Sequence, residues 1–126
     1  MNKLYFISQG GTYEEVPPSD YGKLEYGSPT LAFMYAKLGC DTVEHLTVMF
    51  EEKPHHLFFD ENGLMSPARP NDRASAIAGN RYLRGARMAK LRYNDMTKEP
   101  PPAIVTLLAT GMLIVGDALL WTGEME

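Results

Sequence analysis

Three histidines, one cysteine and sixteen carboxylates are the groups from which metal or acid–base chemistry would be built in this chain. His45, His55 and His56 have no zinc-site spacing among themselves or with Cys40, and neighbours such as His55 and His56 point to opposite faces of a strand. They read as edge or surface histidines. Cys40 follows a helix-ending glycine, and no Gly-x-Ser-x-Gly turn is present, so it reads as a half-buried thiol with His45 as its nearest candidate partner across a turn. Asp60 and Glu61 sit together in a turn, where carboxylates are solvated caps. Asp72 falls in the first turn of a helix, where the helix dipole accounts for it. No Walker or Gly-x-Gly-x-x-Gly pattern supports nucleotide hydrolysis. No catalytic residue, metal or cofactor is expected.

Anion binding is the sharper possibility. Asn71 follows Pro70 and precedes a helix-compatible run, which makes it an N-cap. The start of that helix offers unpaired N–H groups to a phosphate. Arg69 and Arg73 flank it, and Arg81, Arg84 and Arg87 follow, to fold back or to reach a neighbouring subunit. Guanidinium forks match phosphate oxygens two at a time. Tyr13, Tyr21 and Tyr26 lie in one long connection and have the rings to stack on a base. The competing reading makes Asn71 only a cap, pairs the arginines with acids, and lays the tyrosines over the core edge with their hydroxyls in water.

The elements that must position these groups follow from periodicity. Lys3–Ile7 is a first strand, broken by Gly10-Gly11 and followed by a connection over 11–27. Ser28-Pro29 starts a helix with Leu31, Met34, Tyr35 and Leu38 on one stripe, and Gly39 stops it. Val43–Phe50 alternates as a strand. Glu51 to Pro54 is a polar turn, and His55–Phe59 returns antiparallel. The turn Asp60-Glu61-Asn62-Gly63 leads to a short strand at Leu64-Met65. Pro67 and Pro70 end that pairing. A capped helix then places Ala74, Ile77 and Ala78 on one face and closes at Gly79-Asn80.

Residues 81–98 carry six basic residues against one acid, a net of +5, which leaves −9 for the rest of a chain of net −4. The stretch 81–99 reads as a basic insertion, partly helical, in an arm that ends in the stiff prolines 100–102. Ile104, Val105, Leu107 and Leu108 return to the core. Met112–Val115 and Ala118–Trp121 are strands about Gly116-Asp117. Without a regular βαβ alternation, the expected class is α+β: a single domain over 1–126 with a mainly antiparallel sheet and two or three short helices.

A length of 126 residues allows one real core. A single cysteine excludes an internal disulfide framework and points to a reducing cytosol. The apolar run near the N-terminus is too short for a signal peptide. Gly111, Gly116 and Asp117 interrupt the apolar stretch 103–121 below the ~18–20 residues of a membrane span.

Four segments carry a family resemblance. Phe58 to Leu64 resembles the strand–turn motif of a small phage-associated family, domain of unknown function 3846: a hydrophobic residue, Asp-Glu, then Gly and Leu. Pro70-Asn71-Asp72-Arg73-Ala74 resembles that family's helix start, with the asparagine as signature. Leu38 to Glu44 is similar to its helix-to-strand junction, and Ile114 to Leu120 to its closing strand. The order fits across 38–120. The 81–102 insertion is longer than the family pattern, and 11–27 has no clear counterpart. The resemblance implies a phage or mobile-element setting, in the cytoplasm of an infected bacterial host, and no known catalytic chemistry.

The leading expectation is a non-enzymatic homo-oligomer that sequesters a small anionic, nucleotide-derived ligand and so antagonises host defence. The alternative is an acidic inhibitor that mimics nucleic acid and binds a host defence protein. Nucleic-acid binding by the arginine arm comes third, because the net charge opposes it. An enzyme acting on a nucleotide comes last.

Overall fold

The computed structural model describes residues 2–21, 29–65, 67–83, 86–87 and 93–123. The fold is α+β, built on a five-stranded antiparallel sheet. Four of its strands form two hairpins: β1 (Leu4–Ile7) with β2 (Tyr13–Val16), and β3 (Val43–Phe50) with β4 (Lys53–Asp60). A short two-stranded hairpin, β5 (Tyr82–Leu83) and β6 (Ala86–Arg87), forms a separate ladder beside β3, to which Arg81 bridges at Val48. The last strand, β7 (Ala118–Trp121), pairs with β1 on one side and with His56–Phe59 of β4 on the other. The order is β2-β1-β7-β4-β3, so the two hairpins are joined by the strand made last.

Alternation along the strands builds two cores. Leu4, Phe58, Leu119 and Trp121 face one side, while Ile7, Leu57, Phe59, Ala118 and Leu120 face the other. Helices cover both sides, which is why all four residues of β7 are buried. On the first side lie α1 (Pro18–Tyr21) and α2 (Leu31–Leu38). On the second lies α3 (Asp72–Ala78), with α4 (Ala103–Thr110) packed against it. Among the described residues no helix is long and apolar enough to cross a membrane.

Several expected elements differ. The connection 11–27 contains β2, an edge strand whose Glu14 and Glu15 are exposed opposite Phe6 and Tyr5. Two adjacent glutamates hide its alternation. The helix expected at Ser28-Pro29 begins at Leu31, because the Thr30 hydroxyl accepts the Phe33 N–H at 3.2 Å. Ser28 lies outside the described residues. Gly39 ends that helix at φ 65°, as expected.

The turn between β3 and β4 shrinks to Glu51 and Glu52, both with positive φ, and β4 starts at Lys53. Leu64-Met65 is no strand. The Asp60 carboxylate accepts the Asn62 N–H, the Met65 N–H bonds the Asn62 carbonyl, and Gly63–Met65 is a 3₁₀ turn. Met112–Val115 is no strand either. It runs extended along α3, where the Ser75 hydroxyl accepts the Ile114 N–H at 2.8 Å and Val115 makes one bridge to Pro70.

The 81–99 segment is not helical where it is described. It opens with the β5–β6 hairpin, and its Tyr93 and Met96 return to the core. Arg84 and residues 88–92 lie outside the described residues.

Candidate functional site

The residues around Asn71 are engaged by the fold. Asn71 is fully buried. Its side-chain oxygen accepts the Ala74 N–H at 3.0 Å, and its Nδ2 donates to the carbonyls of Ile7 at 3.0 Å and Gly116 at 2.8 Å. One side chain thus caps α3 and ties it to β1 and to the turn before β7. Arg73 is 9% exposed. Its Nη1 donates to the Tyr93 hydroxyl at 2.6 Å and to the Met96 and Lys98 carbonyls, while Nη2 and Nε reach the Gly11 carbonyl. Its guanidinium also sits 4.9 Å from the Tyr13 ring centroid. These bonds spend the fork on backbone carbonyls and the Tyr93 hydroxyl and moor residues 93–98 to the body. The helix itself is only seven residues long.

The other expected ligand residues scatter. Arg69 is exposed on a shallow surface beside Gln9, whose Oε1 accepts the Arg69 N–H at 2.6 Å. Arg81 donates to the Thr110 carbonyl at 3.4 Å. Tyr13 lies edge-on to Tyr5. Tyr21 is buried, edge-on to Phe33 and Trp121. Tyr26, Arg84 and the side chain of Arg87 lie outside the described residues. Arg73 lines one hollow with Asp72, Thr97 and Glu99, Arg69 lines another with Gln9, and Asn71 and Tyr13 line neither, so the four do not converge on one site.

Of the histidines, His55 departs from the surface reading, whereas His45 stands exposed on the edge strand β3, as expected, and His56 is half-buried. His55 is fully buried against Phe50, with its Nδ1 3.1 Å from the Lys53 carbonyl. His45 Nε2 and His56 Nδ1 are 2.9 Å apart on the other sheet face. Burial lowers the pKa of His45 and His55. Burial, reinforced by His45 and His55, brings His56 down to about 4. Burial pushes the Cys40 thiol up, with Asp60 adding to it, which keeps it protonated and a poor nucleophile. Among the described residues no group of three or more His, Cys, Asp or Glu gathers as a metal site.

Besides a polar hollow of about 400 Å³ lined by Asp72, Arg73, Thr97 and Glu99, the structure leaves open an apolar surface centred on α4. This helix has no charged residue. It buries Ala103, Thr106 and Thr110 and shows Ile104, Val105 and Leu108 to solvent, with Leu108 82% exposed. The sequence reading placed these apolar residues in the core. The inversion has a local cause. The partner helix, α3, is rich in small residues, Ala74, Ser75, Ala76 and Ala78 among them, and packs against α4. A Cβ on Gly79 would stand 3.1 Å from the Thr110 methyl. Asp72 accepts the Ala103 N–H at 2.8 Å at one end of α4, and Arg81 reaches its last carbonyl at the other. Both signs suit the helix dipole. These contacts hold the threonine face inward.

Beside α4 lies a groove of about 330 Å³. Leu64 and Leu107 line it together with Met112 and Leu113, and Phe59, Ile114 and Val115 are its buried lining. Gly63 permits it, because a Cβ there would stand 2.8 Å from the Val115 carbonyl oxygen. Glu44, Asp60 and Glu61 complete the lining, and no basic residue contributes. Leu64 is 70% and Met65 88% exposed, so apolar surface continues from the groove onto the 3₁₀ turn.

No family model, curated protein or solved structure matches this chain.

The groove and the α4 face offer a hydrophobic, acid-lined landing surface. Its residues escaped the sequence reading because α4 is apolar on nearly every side. The available signal was Thr106 and Thr110 with Ala103, a small-residue stripe that matches the alanines of α3.

Proposed function

We propose that this chain is a non-enzymatic binding domain that acts by occupying a partner protein, with the α4 face and the adjoining groove as its working surface. The outward apolar face of α4 carries this reading. An uncharged helix face kept open to water is retained where a partner covers it. The resemblance to the domain of unknown function 3846 family supplies the setting. The protein would act in an infected bacterial cell, against a host defence protein, by blocking it. A body of net −9 outside residues 81–98 favours a basic partner surface.

Sequestration of an anionic nucleotide has less support. Asn71 and Arg73 bond within the fold, and the groove contributes carboxylates instead of cations. That second reading rests on exposed Arg69, since the hollow that Arg73 lines also holds Asp72 and Glu99.

Photo-cross-linking in bacterial cells tests the proposal. A cross-linker at position 108 is expected to give a discrete adduct, and one at exposed Ala36 on α2, across the sheet, none. An adduct of twice the chain's mass would name a second copy as the occupant. No adduct at 108, with a nucleotide-induced thermal shift that Arg69→Ala abolishes, would replace this reading with sequestration.

A further inference from the structure

We infer, resting on that reading, that the groove takes an amphipathic segment of the partner whose apolar anchors are flanked by lysine or arginine. Size is the first argument. A volume of about 330 Å³ is at the small end for ligand pockets. It has room for the aliphatic side chains of a peptide anchor. The lining is the second. Apolar side chains from β4, the 3₁₀ turn, α4 and the 112–115 stretch, Phe59, Leu64, Leu107 and Met112 among them, line it, as in helix-in-groove recognition, where anchors recur at i, i+3 or i+4.

Charge decides the flank. Glu44 and Glu61 are exposed, and Asp60 lies between them in the same lining. Among the described residues none of the three has a cation within ion-pair distance. A partner that fills the apolar groove must pass these carboxylates, so a cation beside its anchor is favoured and an anion is rejected. The same argument disfavours a second copy as occupant. A copy is itself acidic, and its α4 brings no positive residue to meet the three acids.

The test is selection of a random peptide library on the purified full chain. Enriched peptides are expected to pair two apolar residues at helical spacing with a neighbouring Lys or Arg. A synthetic representative should lose affinity by about fivefold against Glu44→Gln/Glu61→Gln, and should weaken as salt rises from about 0.05 to about 0.5 M. Leu64→Ser, an exposed site, should remove binding while leaving the fold intact by circular dichroism. Enriched peptides without basic residues that still need Leu64 would overturn the charge inference and leave the docking surface standing. Peptides indifferent to Leu64→Ser, or no enrichment by a folded sample, would overturn the groove as the site. The cross-link at position 108 judges the wider reading separately.

Discussion

Asn71 shows how far one residue's role can be read in advance. Its cap of α3 follows from local spacing, and the Ala74 N–H bears it out. Its two donated bonds go to residues 64 and 45 positions away, and no local pattern announces those. A cap alone would tolerate aspartate. Asn71→Asp keeps the acceptor but strips two buried carbonyls of their donor and adds a buried charge. It should cost about 2–4 kcal/mol in urea unfolding, and a near-neutral result would reduce Asn71 to a cap. His56 makes a second prediction. Unfolded, a histidine takes its proton near pH 6.5; folded, His56 does so near 4. Between these values the unfolded chain holds more protons, so stability is full above about 6.5 and falls as pH drops toward 4. From pH 7 to pH 5 the full weight is about 2 kcal/mol, and screening at this partly exposed site leaves about 1 kcal/mol. His56→Gln should flatten the pH dependence by that amount. An unchanged slope would remove His56 as its source.

Elements were legible where one period acts alone. The alternation in Val43–Phe50, the stop at Gly39 and the helix from Asn71 all stand. They fail where a second constraint enters. Two glutamates masked β2, a 3₁₀ turn replaced the expected Leu64-Met65 strand, and Ser75 holds Met112–Val115 off the sheet. The 81–99 stretch misled through its arginine spacing, which suits a helix, whereas Tyr82 pairs with Arg87 in a hairpin. The β3–β4 turn offers an element-scale test. Glu51 and Glu52 both hold φ near +60°, the conformation a two-residue hairpin loop asks of Asn-Gly. Replacing them with Asn-Gly should raise stability by about 1–2 kcal/mol. A loss on thermal unfolding would mean that the Glu51 carboxylate, 3.9 Å from His55 Nε2, matters more than backbone strain.

At the scale of the whole molecule, one late strand closes the sheet, and one helix is turned inside out. β7 zips two hairpins, one at the start of the chain and one in its middle. Alternation marks β3, but the strand order depends on pairing β7 with β1, more than a hundred residues away, and with β4, about sixty away, which no local pattern encodes. The inverted α4 was illegible for a related reason: its orientation is set by Asp72, Arg81 and the small residues of α3. The account's central claim is that Ile104 and Leu108 serve a partner and contribute nothing to the chain's own core. Equilibrium urea unfolding of Ile104→Ser/Leu108→Ser tests it without knowledge of the partner. The predicted result is stability within about 0.5 kcal/mol per site of the parent, with the cooperativity unchanged. A loss of about 2 kcal/mol or more per site, the cost of deleting a packed aliphatic side chain, would place both residues in the core and contradict the account.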